Sequence, residues 1–190
     1  MHPNIFSKIP SVQFLEDYYG SSYKQTDGSF DPRGGVGRKI KYQLFRCWIK
    51  RYFKESPIET LEIGCGQGDF LSAVQGDDNF KACGIDYAEA PIEYAKSNGL
   101  RAEQSGIFDQ EFEAEQFDLV VALHVIEHVR NLNETIGEIA RILREGGHTF
   151  IVCPCVAHIK ARLAGAHWKY LEPPWHLWYF SPKTLSLLMK

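Results

Sequence analysis

From Ile58 onward the hydrophobic positions of the chain keep changing period. The runs "IETLEIG", "FKACGIDY", "LRAEQS", "FDLVVALHVI" and "HTFIVCPC" are apolar throughout or at alternate positions and read as strands. Between them "DFLSAVQG", "AEAPIEYAKSNG" and "NETIGEIARILREGG" have helical spacing, and glycine stops the last two. In the last of these, Ile136, Ile139, Ala140 and Leu143 share one face. Strands this apolar are buried on both sides. The alternation therefore predicts an α/β fold: a doubly wound, mainly parallel sheet with helices on both faces and right-handed crossovers.

The flanks differ from this core. Residues 1 to about 32 are rich in Tyr, Ser, Gly and Pro and read as loop and short helix. The stretch from Arg33 to Lys54 reads as an amphipathic helix, with Ile40, Leu44, Cys47, Trp48 and Tyr52 on one face, ended by Pro57. It carries eight Lys/Arg and no acid, either a solvated face over the core or an anion contact; the first is the commoner meaning of a charge run. Two domains are expected: an N-terminal helical cap over 1–57 and the α/β core over 58–190. Near the end, "HWKYLEPPWHLWYFSP" packs Trp168, Tyr170, Trp175, Trp178, Tyr179 and Phe180 around Pro173 and Pro174. Ser181 and Pro182 then open a closing helix as N-cap and first position.

Composition narrows the classes. A 190-residue chain with 44% hydrophobic residues supports a sizeable core, and a net charge of -3 gives no case for nucleic acid or an anionic membrane surface. No apolar run approaches the ~18 residues of a membrane span, and the N-terminus lacks the zones of a signal peptide. Five cysteines in no disulfide pattern fit a reducing, cytoplasmic setting.

The chemistry concentrates in "TLEIGCGQGDF", where Gly64, Gly66 and Gly68 close the first strand and open a helix. In an open α/β sheet, ligands bind at the carboxyl ends of the strands, and a helix N-terminus suits an anionic group. The Gly-x-Gly-x-x-Gly of a dinucleotide site is not met, because Asp69 follows Gly68, and the P-loop lysine is absent. Glu62, at the end of the first strand, is costly unless a cation partners it. Asp86 closes the second strand, where a carboxylate accepts from both ribose hydroxyls. A ligand with a ribose and an amino-acid group fits this set better than a dinucleotide does.

"LEIGCGQG", "GIDYAEAPIEYAK" and "FDLVVALHVIEHV" resemble, in order and spacing, three signature motifs of class I S-adenosylmethionine-dependent methyltransferases. "EPPWHLWYFSPKTL" is similar to a segment of the small-molecule subgroup that includes quinone-biosynthesis O-methyltransferases. The resemblance implies a Rossmann-like fold, S-adenosylmethionine as cofactor and S-adenosylhomocysteine as product. It implies backbone contacts from Gly64, Cys65 and Gly66 to the methionine part, Glu62 at its amino-acid end, and Gly68 for close helix packing. Asp86 would hold the ribose and Tyr87 lie beside the adenine. Ser105, Gly106 and Ile107 would cover its other face, with Asp109 a loosely aligned acid nearby. Leu123 and His124 would border the methyl group. The expected partner is a small-molecule acceptor, aromatic or lipid-like, taken by in-line methyl transfer. The alternative is a non-catalytic S-adenosylmethionine-binding module. The family's last two strands are missing, so an incomplete core, a homodimer through the exposed edge of strand five, or an aromatic segment folded over that edge is expected, the first with dimerisation being favoured.

Histidines supply the remaining candidates. His176 and His124 are the candidate general bases for an acceptor hydroxyl. His176 has a second reading as a lid residue bonded to loop backbone. Glu127 and His128 read as structural, and Cys153, Cys155 and His158 as too loose for a metal fragment; no metal is expected. A nicotinamide-dependent oxidoreductase is disfavoured by the glycine spacing. A nucleic-acid methyltransferase rests only on the basic helix.

Overall fold

The computed structural model describes residues 36–171 and 175–190. The reading of the first 32 residues, the start of the basic helix and the two prolines of the aromatic segment lie outside the described residues. The strands are β1 (Ile58–Ile63), β2 (Phe80–Asp86), β3 (Ala102–Gln104), β4 (Phe117–Leu123) and β5 (Leu143–Val152). The helices are α1 (Val36–Ile49), α2 (Asp69–Val74), α3 (Glu89–Ser97), α4 (Leu132–Ile142), α5 (Ile159–Ala164) and α6 (Pro182–Leu188). The strands form one parallel sheet in the order β3-β2-β1-β4-β5. This is the expected doubly wound, Rossmann-like α/β architecture.

Alternation along the strands sorts the core into two layers. On one face of β4, Leu119 and Val121 pack with Ile49 of α1, Phe70 of α2 and Ile92 of α3. On the other, Val120 packs with Leu61 and Ile85 beneath Ile139 and Ile142 of α4. A third cluster joins Ala122 and Ile126 to Phe180 and to Leu185 of α6. Ser181 caps α6 with a reciprocal Thr184 box and Pro182 in its first turn, as its sequence predicts.

Three boundaries differ from expectation. The face of α1 that meets the sheet carries Tyr42, Phe45 and Ile49. The predicted stripe is split: Ile40 and Leu44 are 53% and 66% exposed, while Trp48 and Tyr52 are partly exposed and lay their rings against Phe150. Both stripes have helical spacing, so periodicity could not choose between them. Among the basic residues, Arg46 and Lys50 reach Asp77 at 3.5 and 3.3 Å. The run thus partly ties α1 to the loop after α2.

Helix α4 stops at Ile142, and "LREGG" belongs to β5. Arg144 explains this: its guanidinium lies 2.8 Å from both oxygens of Asp118, and its Nε donates to Glu115 O. These contacts lay the segment beside β4, with a register shift between Phe117 and Leu119 and Gly146 at φ +75° absorbing the bend. The buried face of α4 is accordingly Leu132, Thr135, Ile139 and Ile142, and Ala140 is exposed.

Strand β4 ends at Leu123, one residue before His124 at φ +59°. The outer edge of β5 has no strand partner among the described residues. Rings of α1 cover one of its faces, with Trp48 4.7 Å and Phe45 5.5 Å from Phe150. None of the described helices is long and apolar enough to cross a membrane.

Candidate functional site

The carboxyl ends of β1, β2 and β4 open onto a cavity of about 530 Å³. Of the sequence-predicted residues, Gly64, Asp86, Tyr87, Ser105, Gly106, Ile107, Leu123 and His124 line it. Ile63, Ile85 and Ile107 make an apolar slot, with Asp86 at its rim.

Asp86 holds the site together. Its Oδ2 accepts from Gly66 N at 2.8 Å and its Oδ1 from Ala88 N at 2.9 Å. One carboxylate thereby fixes the glycine turn to the start of α3. Each carboxylate oxygen keeps a second lone pair for a ligand hydroxyl. Burial raises the Asp86 pKa, and the two backbone bonds oppose that rise.

The glycines answer to the protein as much as to a ligand. A β-carbon on Gly64, at φ +66°, would overlap the Val125 side chain, itself part of the cavity wall. One on Gly68, at φ +81°, would strike Leu100, so this position lets α2 seat against the end of α3. Gly106 has no room beside the Tyr87 hydroxyl, and its N–H donates to Asp109 Oδ2 at 2.9 Å. Asp109 therefore shapes the loop and is not in the cavity wall. The Cys65 side chain is buried against Gly84, where an added β-carbon would lie 2.7 Å from its sulfur. Its N–H donates to Ile85 O and its carbonyl accepts from Gly68 N, and Cys65 does not line the cavity.

Glu62 is also outside the cavity wall. Strand alternation turns it to the face of β1 opposite Ile63, beneath α2. It is 3% exposed, and its Oε2 has no hydrogen-bond partner. Burial first, then the charges of Asp69 and Asp86, push its pKa well above the usual carboxylate range. A backbone hydrogen bond from Leu71 opposes that rise. A buried acid under the glycine turn with one oxygen unpartnered fits a ligand carrying an ammonium group.

The wall formed by Val125, His128, Val129, Arg130, Asn131 and Thr135 escaped the sequence reading. Its only signal was "HVRNLNET", the turn into α4, whose polar residues look like an ordinary helix start. Arg130 Nε is buried there without a hydrogen-bond partner.

A second cavity of about 700 Å³ lies between α1 and the ends of β4 and β5. Ile40, Leu44, Phe45 and Trp48 face Leu123, His124 and Val152 across it. Leu123 and His124 line both cavities.

His176 is placed differently from the open lid position that a base requires. It is 5% exposed, its Nδ1 lies 2.8 Å from Tyr170 O, and it lines neither cavity. None of the six clustered rings from Trp168 to Phe180 lines either cavity. Backbone geometry explains this: Glu127 O accepts from Leu177 N and Trp178 N, and Trp178 Nε1 donates to Val129 O. The segment is strapped onto the turn after β4, with Phe180 buried, Trp178 exposed and the other four rings half-buried.

Comparison with known proteins agrees with this geometry. A family model described as "Methyltransferase domain" matches residues 37–190. The chain is 24% identical over 188 residues to (S)-coclaurine N-methyltransferase of Papaver somniferum, covering 93% of this chain and 51% of that protein. It is 31% identical over 110 residues to ubiquinone biosynthesis O-methyltransferase of Stutzerimonas stutzeri, covering 54% of this chain and 47% of that protein. The chain thus spans about half the length of these curated relatives. Among solved structures, the plantazolicin methyltransferase BpumL in complex with SAH aligns at a TM-score of 0.69 and 21% identity, covering 92% of this chain and 71% of that one. The PH0226 protein of Pyrococcus horikoshii aligns at 0.68 and 18%, covering 89% and 87%. With the family model spanning both the glycine turn and the strap, the chain belongs to the methyltransferase-domain family, the class I S-adenosylmethionine-dependent methyltransferases.

Proposed function

We propose that this chain carries a methyl group from S-adenosylmethionine to a small apolar acceptor, seated in the cavity between α1 and the ends of β4 and β5. The observation that carries the reading is the shared wall: Leu123 and His124 border both the donor cavity and the apolar one. Two of the relatives are named for coclaurine N-methylation and for ubiquinone biosynthesis O-methylation, which is compatible with a ring-bearing small molecule.

The donor's sulfonium supplies an already activated methyl group. What remains for the protein is alignment and exclusion of water. Asp86 and Tyr87 hold the nucleoside end, while Glu62 supports the ammonium end from beneath the glycine turn. Leu123 fixes the floor at the junction. His124, turned outward by its positive φ, stands where an acceptor proton would leave. Aromatic and aliphatic side chains of α1 exclude water from the acceptor.

The first test is calorimetric titration of the chain with S-adenosylhomocysteine. Saturable binding that Asp86→Ala weakens at least tenfold supports the donor site; a folded chain that does not bind overturns it. Transfer is then assayed from labelled S-adenosylmethionine to a panel of phenols and amines. Binding without transfer to any acceptor would favour the alternative, a cofactor-binding module, a reading that the short span relative to the curated proteins keeps open.

A further inference from the structure

We infer that the acceptor taken by the α1 cavity is an apolar carboxylic acid, whose carboxylate meets Lys41 while its body lies along the helix. The inference rests on the reading of that cavity as the acceptor site.

The charge of the wall comes first. Lys41 is the only lysine or arginine among the described residues that line the cavity, and no acid lines it. Arg46 and Lys50, further along the basic run, are held by Asp77. Lys41 has no acid partner among the described residues. Its ammonium lies 5.3 Å from the centre of the adjacent Tyr42 ring, which also lines the cavity. A ring face attracts a cation without neutralising it. One uncompensated positive charge thus stands in a wall that is otherwise mainly apolar.

The helix adds to that charge. α1 has no acid in its first turn, where the sequence places Arg38 and Lys39. The N-terminal end of a helix carries partial positive charge, so basic residues near it are unfavourable and an anion is favoured. Lys41 follows in the second turn. The fold accounts for the basic run only at Arg46 and Lys50. An anionic ligand accounts for its beginning.

Shape is the third observation. Lys41, Phe45 and Trp48 follow one another at helical spacing, and the Phe45 and Trp48 rings stack at 6.2 Å and 24°. From Lys41 to Trp48 the helix rises about 10 Å. The cation therefore stands at one end of an apolar strip that suits a ring or a short chain. Leu123 and His124 meet that strip from the donor side. A lone lysine suits a monoanion, whereas a phosphate calls for a bidentate arginine or several donors. A phenol is uncharged near neutral pH.

The test uses the full chain saturated with S-adenosylhomocysteine and a matched pair of probes, 2-naphthoate and the neutral 2-naphthamide, titrated by calorimetry. The wild type should bind the acid roughly threefold tighter than the amide, or better, and about 0.5 M salt should shrink that preference. Lys41→Gln should abolish the preference, Lys41→Arg should keep it, and both should bind S-adenosylhomocysteine as the wild type does. Leu44→Asn should weaken both probes, which places them in this cavity. Equal binding of acid and amide by the wild type overturns the inference and leaves the acceptor reading standing. So does a preference that survives in Lys41→Gln. If neither probe binds a chain that takes S-adenosylhomocysteine, or if Leu44→Asn alters neither, the acceptor reading of the cavity falls and the inference falls with it.

Discussion

The Val125 side chain occupies the space that a β-carbon on Gly64 would need. The first glycine of the motif is thus required by a hydrophobic neighbour from the turn after β4, and that neighbour walls the cavity at the ends of β1, β2 and β4.

Gly64→Ala should therefore destabilise the chain by about 2–5 kcal/mol, adding left-handed strain to overpacking. Gly76→Ala is the control: the backbone is at φ +76° with nothing within 4 Å, so only strain of about 1–2 kcal/mol remains. Urea unfolding of the two variants separates the terms. Equal losses would show that the Val125 overlap relaxes freely.

Glu62 makes stability depend on pH. Its folded pKa is raised, so the folded state holds a proton that the unfolded state has released. Stability from this group is fully present below its unfolded value near 4.5 and falls as pH rises toward the raised folded value. Glu62→Gln should remove that fall, giving an equal or higher Tm at neutral pH. The same variant should weaken S-adenosylhomocysteine binding. A lower Tm at pH 7 in the ligand-free variant would contradict the burial argument.

The outward stripe of α1 should matter to the acceptor and little to the fold. Leu44→Asn, at a position 66% exposed, should change unfolding free energy by no more than about 0.5 kcal/mol. Once an acceptor is identified, its KM should rise severalfold while S-adenosylhomocysteine affinity stays constant. Unaltered kinetics would remove the α1 cavity as the acceptor site.

His124 carries strain at a junction. At φ +59° a glycine fits better, so His124→Gly should raise stability by about 1 kcal/mol while transfer falls. Thermal denaturation and a transfer assay on the same preparation read both effects. A variant as active as wild type would show that His124 only fills the wall.

Much of the core was legible because it is local. Strand β4 is a nearly continuous apolar run, β1 and β2 are short segments bounded by turn residues, and Ser181 and Pro182 mark the start of α6 within four residues of sequence. Asp86 and the glycine turn were legible because their spacing follows from one strand–turn–helix unit. "LREGG" was misread because its partners, Asp118 and Glu115, lie 26 and 29 residues from Arg144. The face of α1 was misread because two apolar stripes share one helix, and only the neighbouring sheet decides between them.

The sequence by itself determined the doubly wound sheet, the glycine turn and the acids at the ends of the first two strands. Hydrophobic period and glycine spacing encode these within single supersecondary units. The tertiary structure alone decided which helix face opens the second cavity, that His124 lines both cavities, and that His176 lies against His128 and lines neither. Those relations join residues some 50 to 110 positions apart along β4, α1 and the strap, and only tertiary packing and the strap's long-range hydrogen bonds bring them together.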